Sequence, residues 1–369
     1  MNTRSRRNWG RHFVLTISAI AIVILISPSA LTRREAKTSE QERCTELADQ
    51  MKGLRSEQGR LQKAVEKAGD REKQNFLDQI KLLECDISKK QAELDECPAM
   101  CHGMRQCTAA EKKTPPDLIV EFPGPNGMKL HGYLFVPGVS TNAGLNTVTR
   151  KFPAMIFNHG SEECPSAFKQ LARLYVDHGF AFFVPHRHGQ GLSKDAGPYF
   201  SDIAKTLHNS EAVVVLHELY NKDVIAAVNW LKSQPFIDSQ RIAMSGGSYG
   251  GIQDLLTAEK DPGVRAYVPF TPGTQSFGNE RLRARLIRAV KNETAPMFII
   301  QAEGDYSLAP ITTLLPFLAA KGNQEKWKVK LYPKFGCNNE DAHARFAGAC
   351  DGIAIWEADV LAFLDKWMK

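Results

Sequence analysis

Arg241-Ile-Ala-Met-Ser-Gly-Gly-Ser-Tyr-Gly-Gly251 decides how this chain is read. Residues 241–244 have the character of a buried strand, and a helix pattern starts at Tyr249. Between them stands Gly246-Gly-Ser-Tyr-Gly250, a G-x-S-x-G at a strand-to-helix turn. The bare motif is common by chance; a strand before it and a helix after it make it a nucleophile elbow. Small residues at 246 and 250 let the chain reverse without striking neighbouring backbone. Ser248 is then presented at the top of a sheet as the candidate nucleophile. The Tyr249 N–H lies in the first helical turn, where donors lack partners within the helix, and it faces a developing oxyanion. Gly251 extends the run of small residues and suits close helix–sheet packing.

A serine so placed needs a base and an orienter, in chain order Ser, Asp, His. Asp305 closes Gln301-Ala-Glu-Gly-Asp305, just after the strand-like segment 297–300. Loops at the carboxyl ends of parallel strands are where such sheets build sites. Glu303 is its nearest rival. The candidate base is His343, the sole histidine after residue 217, in Phe335-Gly-Cys-Asn-Asn-Glu-Asp-Ala-His343. Asp341 in that loop is a weaker orienter. Cys337 and Cys350 flank the loop and could pair, leaving Cys164 free or bonded to the N-terminal module. A second oxyanion donor is expected in Asn158-His-Gly-Ser161, from the Ser161 or Glu162 backbone. His159 reads as structural. Pro185-His-Arg-His-Gly-Gln-Gly191 should form pocket wall, packed by Arg187 and the glycines. His186 and His188 have metal-like spacing without an evident third ligand.

Further outward the pattern repeats. Segments 117–122, 129–136, 153–157, 180–184, 264–268 and 327–332 read as strands, with Gly124-Pro-Asn-Gly127 turning the first pair. Residues 166–178, 211–233, 310–321 and 353–368 read as helices. Alternating strands and helices predict an α/β class: a mostly parallel sheet with an antiparallel N-terminal edge and helices on both faces. Residues 271–291 could form a small lid. Arg281, Arg285 and Arg288 can share one helical face there, to meet an acidic substrate or simply solvent.

The N-terminal third is different. The chain of 369 residues carries 47 basic against 41 acidic side chains, a net +6. Residues 1–37 hold seven basic groups and one acidic group, so the whole excess lies there. It accompanies an uncharged run, 13–31, as in a secretory signal or a retained anchor, and is no footprint of a nucleic-acid surface. Residues 13–31 are the candidate membrane contact, and the chain is expected to be exported to the periplasm or secreted. Eight cysteines, five of them within 44–107, fit disulfide formation in that setting. Cys97, Cys101 and Cys107 with His102 match no standard zinc finger. Leu47, Met51, Leu54, Leu61 and Val65, then Phe76, Leu77, Ile80, Leu83, Ile87 and Leu94, recur at helical spacing. Folded back near Gly69, they predict a small helical hairpin, stapled from Cys44 to Cys97 or Cys101, with Gly53 and Gly59 as further breaks. Three regions follow: 1–30 targeting, 31–114 helical module and linker, 115–369 catalytic.

Asn158-His-Gly160, Arg187-x-Gly-Gln-Gly191, Gly246-Gly-Ser-Tyr-Gly-Gly251, Gly304-Asp305 and His343 make residues 117–369 resemble the α/β-hydrolases, in particular dienelactone-hydrolase-like enzymes and the catalytic domains of prolyl-oligopeptidase-type serine peptidases. The resemblance implies Ser248 as nucleophile, Asp305 as orienter and His343 as base, with no metal or organic cofactor. Two departures matter. Dienelactone hydrolase itself carries a cysteine nucleophile, so lactones do not follow. Peptidases of the prolyl-oligopeptidase type carry a large propeller-like domain, and here the upstream module is about 80 residues. The expected activity is hydrolysis of a small-molecule ester or short acyl substrate, ahead of cleavage of short peptides or a non-catalytic envelope role.

Overall fold

In the segment 152–158, Ala154 and Ile156 enter one hydrophobic core while Met155 and Phe157 enter another, and all four are buried. The same division recurs at Phe183 against Phe182 and Val184, at Met244 against Ala243, and at Ile299 against Phe298 and Ile300. A strand alternates its side chains across the sheet, so apolar residues at every position require cover on both faces. Burying each large apolar side chain contributes roughly 1.5–3 kcal/mol.

The computed structural model describes residues 28–67, 69–94, 107–108, 114–115 and 117–369. The uncharged run 13–27, Cys97, Cys101 and His102 lie outside them, as does the side chain of Cys44, and with these the expected Cys44 staple. No described helix is long and apolar enough to cross a membrane. The strands are β1 Leu118–Pro123, β2 Lys129–Phe135, β3 Phe152–Asn158, β4 Ala181–Pro185, β5 Ile237–Gly247, β6 Ala266–Phe270, β7 Met297–Ala302 and β8 Trp327–Tyr332. They form one sheet in the order β1-β2-β4-β3-β5-β6-β7-β8. β2 runs antiparallel to both β1 and β4, and every other pairing is parallel. The expected mostly parallel sheet with an antiparallel edge is therefore present.

The helices are α1 Pro28–Lys67, α2 Asp70–Leu94, α3 Lys169–Asp177, α4 Phe200–Thr206, α5 Ser210–Ser233, α6 Tyr249–Lys260, α7 Glu280–Asn292, α8 Ala309–Ala319 and α9 Cys350–Trp367. Apolar residues of α5, α6, α7 and α8 cover one face of the sheet, and those of α3 and α9 the other. The segment 271–291 holds nearly all of α7, whose arginines differ in their surroundings. Arg285 is buried between Glu218 and Glu259, while Arg281 approaches Glu211 and Arg288 approaches Glu259, each at 3.9 Å. Arg285 is thus taken up by the protein's own carboxylates on α5 and α6, while Arg281 and Arg288 stay mostly exposed, as the solvent alternative expects.

The chain divides into two compact units, 1–43 and 44–369. The first contributes the opening turns of α1. In the second, α1 and α2 form the expected pair, joined at Gly69, whose carbonyl accepts from the Glu72 and Lys73 N–H groups. Gly53 and Gly59 do not break α1. A helical glycine costs only about 1 kcal/mol, and burial of Leu47, Met51 and Leu61 offsets that.

Among the described residues, two disulfides bind the N-terminal region to the sheet-bearing part: Cys85–Cys164, with Cα atoms 5.5 Å apart, and Cys107–Cys350, with 5.8 Å. The expected Cys337–Cys350 pair is not formed. Cys350 opens α9 beside α3, where its N–H donates to Gln170 Oε1 at 2.6 Å. Cys337 is disulfide-bonded elsewhere, and its N–H donates to Asp341. In a chain-entropy account the two closures restrain the unfolded state by about 4.5 and about 5.5 kcal/mol.

Beside Cys164, Glu163 meets Glu84 of α2, with Lys81 and Asp202 nearby, and its pKa is pushed up to about 8 by burial first and by the bond to Glu84 second. A raised acid is stabilising while protonated: its contribution is complete below about 4.5 and is lost as pH climbs through about 8. Glu163→Gln keeps a neutral partner for Glu84 at all pH values. Melting temperatures should therefore favour the variant increasingly from pH 5 to pH 9; parallel profiles would show that no proton is shared there.

Candidate active site

Ser248 has φ 55° and ψ −114°, the strained conformation of a sharp strand-to-helix turn. It joins β5 to α6 and is held by three backbone bonds. Its N–H donates to Phe270 O at 3.1 Å, and its carbonyl accepts from Ile252 at 3.2 Å and Gly273 at 3.1 Å. Two glycines make the turn feasible. A Cβ on Gly250 would lie 1.8 Å from the Asn158 carbonyl oxygen, and one on Gly246 would lie 2.7 Å from the same atom. The end of β3 is thereby pressed against the start of α6. Beneath the contact, Asn158 Nδ2 donates to Asp254 Oδ1 at 2.8 Å, both residues being fully buried. Burial holds the Asp254 carboxyl well above the usual acid range.

Asp305 and His343 are brought together: His343 Nδ1 lies 3.0 Å from Asp305 Oδ1, and both residues are buried. Asp305 also accepts from the Tyr306 N–H at 2.6 Å, Gln301 Nε2 at 2.9 Å and Thr274 Oγ1 at 3.3 Å. Thr274 Oγ1 is 3.2 Å from His343 Nδ1 as well. The carboxylate is fixed on several sides, so it fixes the imidazole and leaves Nε2 as the ring's other nitrogen. The rivals stand elsewhere. Glu303 is exposed, and Asp341 turns back to the Cys337 N–H at 2.9 Å. His343 sits in a short π-helical turn, Asp341–Arg345. The loop before it is tied to the Asp305 loop by Asn339 Nδ2, which donates to Gly304 O at 2.7 Å. Thr274 and Gln301 carried no sequence signal, since neither belongs to a spaced motif.

Ser161, in the turn after β3, is exposed, and its carbonyl accepts from the Tyr199 hydroxyl. The turn is gripped from below by Arg187. Its guanidinium donates to His159 O at 2.9 Å, Gly160 O at 2.5 Å and His159 Nδ1 at 2.8 Å, and lies 4.6 Å from the Tyr249 ring centroid. One buried cation thus touches both segments from which oxyanion donors were expected. An arginine can only donate, so His159 Nδ1 accepts. Burial first, and the Arg187 charge second, hold His159 well below its ordinary pKa, and the same causes bring His186 down to about 3. His188 instead meets Asp223 at 2.6 Å. Among the described residues no group of three or more His, Cys, Asp or Glu is arranged to hold a metal.

With this geometry in view, likeness to known proteins can be placed. Residues 166–269 match the prolyl oligopeptidase family. A polyketide transferase, grgF, of Penicillium sp is 25% identical over 197 residues, covering 51% of this chain and 58% of that protein. An acylaminoacyl peptidase in complex with Z-Gly-Gly-Phe-chloromethyl ketone superposes with TM-score 0.52 at 17% identity, over 70% of this chain and 42% of that one. The acylaminoacyl peptidase of Pyrococcus horikoshii gives 0.51 at 16% identity, over 71% and 43%. The chain therefore spans a little over half of the curated relative and less than half of these peptidases. The fold is that of the α/β-hydrolases.

Gly250→Ala sets a Cβ against a backbone carbonyl that cannot swing aside. It should lower the unfolding free energy by about 3 kcal/mol or more. Gly247, whose added Cβ meets nothing within 4 Å, is the control, and Gly247→Ala should stay within about 0.5 kcal/mol of wild type. Urea midpoints of the two variants measure the difference.

Proposed function

We propose that this chain is an exported serine hydrolase that cleaves carboxylic esters of small acyl compounds. The observation that carries the reading is the buried Asp305–His343 pair at 3.0 Å, at the same carboxyl end of the parallel strands as the strained Ser248 turn. In this mechanism Ser248 Oγ attacks the acyl carbonyl as His343 Nε2 takes its proton. Asp305 holds the imidazole in the tautomer with hydrogen on Nδ1 and stabilises its protonated form. The Tyr249 and Ser161 N–H groups receive the oxyanion, with Arg187 holding both segments in place. His343 returns the proton to the leaving alcohol. Water activated by the same nitrogen then hydrolyses the acyl-enzyme.

The match to the prolyl oligopeptidase family over 166–269 supports a second reading, cleavage of short peptides. The uncharged run 13–31 and the disulfides support export.

Purified protein should hydrolyse p-nitrophenyl acetate and react with a small fluorophosphonate at Ser248. Ser248→Ala should abolish both, and His343→Gln should lower kcat by about a thousandfold or more. Comparable efficiency on aminoacyl-p-nitroanilides would move the assignment to a peptidase. A chain inert to every ester, anilide and phosphonate would be a non-catalytic relative of these enzymes.

A further inference from the structure

Four buried residues directly after β6, Thr271-Pro-Gly-Thr274, are bonded both to the Ser248 turn and to the Asp305–His343 pair. Toward the turn the contact is backbone to backbone. The Ser248 N–H donates to Phe270 O at 3.1 Å, and the Gly273 N–H donates to Ser248 O at 3.1 Å, so the turn is clasped at both its donor and its acceptor. The approach is close: a Cβ on Gly251 would lie 2.9 Å from Phe270 O and 3.0 Å from Pro272 Cα. Toward β7, the Thr271 N–H donates to Ile300 O at 2.9 Å. Thr271 at φ 46° and Gly273 at φ 69° both take the left-handed region, which is uncommon for a threonine. Such a bend persists where contacts on both sides over-determine it.

The next residue touches the pair itself. Thr274 is buried, and its Oγ1 donates to Asp305 Oδ1 at 3.3 Å while lying 3.2 Å from His343 Nδ1. A hydroxyl has one proton and two lone pairs. With its proton directed at Asp305, its oxygen can only accept from the His343 Nδ1–H. That same N–H donates to Asp305 Oδ1 at 3.0 Å, so it has two acceptors side by side. When Nε2 takes the serine proton, the ring becomes a cation with the carboxylate and the hydroxyl oxygen both at its buried Nδ1 edge. Asp305 does not need Thr274 for its own satisfaction, because the Tyr306 N–H and Gln301 Nε2 hold it as well. Removing the hydroxyl therefore leaves the carboxylate bonded and takes away a contact of the imidazole.

We propose that Thr274 is a positioning residue for the hydrolysis: its hydroxyl shares the His343 Nδ1 proton with Asp305, and the residue before it is bonded to the Ser248 carbonyl, so the base keeps its register with the nucleophile. The proposal rests on the hydrolase reading above and deepens it by adding a fourth side chain to the three that the chain order suggests. One short strap joins the backbone of the turn to the side chains of the pair. A shift of that strap would move the Ser248 backbone and the imidazole together rather than apart.

The test uses the full-length protein and p-nitrophenyl acetate. Thr274→Val keeps the shape of the side chain and removes the hydroxyl. Its kcat should fall about thirtyfold, the size expected for losing a hydrogen bond to a charged partner. KM should stay within about twofold, because His343 is the base in both acylation and deacylation and the two steps slow together. Thr274→Ser returns the hydroxyl without the methyl group and should keep kcat within about threefold of wild type. Thr274→Ala is a second chain without the hydroxyl and should match Thr274→Val. An unchanged kcat in the two hydroxyl-free variants, an effect on KM alone, or an equal loss in Thr274→Ser would overturn the proposal. So would hydroxyl-free variants that circular dichroism shows unfolded, since the group would then be structural. Wild-type protein inert to both the ester and a small fluorophosphonate would instead overturn the hydrolase reading beneath it.

Discussion

One close approach organises the site: the backbone of Gly250 against the carbonyl of Asn158. It brings the end of β3 and the start of α6 nearer than any side chain would permit. The Ser161 turn leaves β3 immediately afterwards, and Ser248 precedes α6 immediately before. Ser248, the candidate nucleophile, and the two expected oxyanion donors are therefore spaced by a backbone contact, which has no rotamers to relax. Such contacts set geometry more tightly than side-chain packing does. The buried Asn158–Asp254 bond and the Arg187 guanidinium reinforce it from below and from the side.

The electrostatics around this contact follow from burial. Arg187 sits among histidines that its charge and the lack of water keep neutral. A neutral His159 keeps Nδ1 free to accept, which is what lets the Arg187 guanidinium donate to that ring as well as to the His159 and Gly160 carbonyls. An arginine that keeps its proton suits a structural clamp, because its bonds to the His159 and Gly160 carbonyls involve no titrating acceptor.

Much of this was legible in the sequence. The eight strands announced themselves because both faces of each central strand must be apolar, and β-strand apolar runs such as 297–300 stand out against polar loops. The Gly-Gly-Ser-Tyr-Gly turn was readable because few other residues fit its backbone. The Asp305–His343 meeting was readable from chain order and position after strands. What escaped depends on three-dimensional neighbours. Thr274 and Gln301 have no periodicity to reveal them. Arg285 looks available on a helical wheel until α5 and α6 supply Glu218 and Glu259. Cys350 lies closer in sequence to Cys337 than to Cys107, but α9 turns it away to the side of α3.

Among the described residues, one disulfide links Cys85 to a residue 79 positions later and another links Cys107 to one 243 positions later. In order of synthesis, then, the helical pair is made first and fastened last. Cys164 arrives once β3 is complete, and Cys350 only after β8, when nearly the whole sheet has been laid down. Meanwhile the early cysteines have only one another as partners. A bond between Cys85 and Cys107 at that stage would have to be undone by thiol–disulfide exchange before either of these two bridges could close.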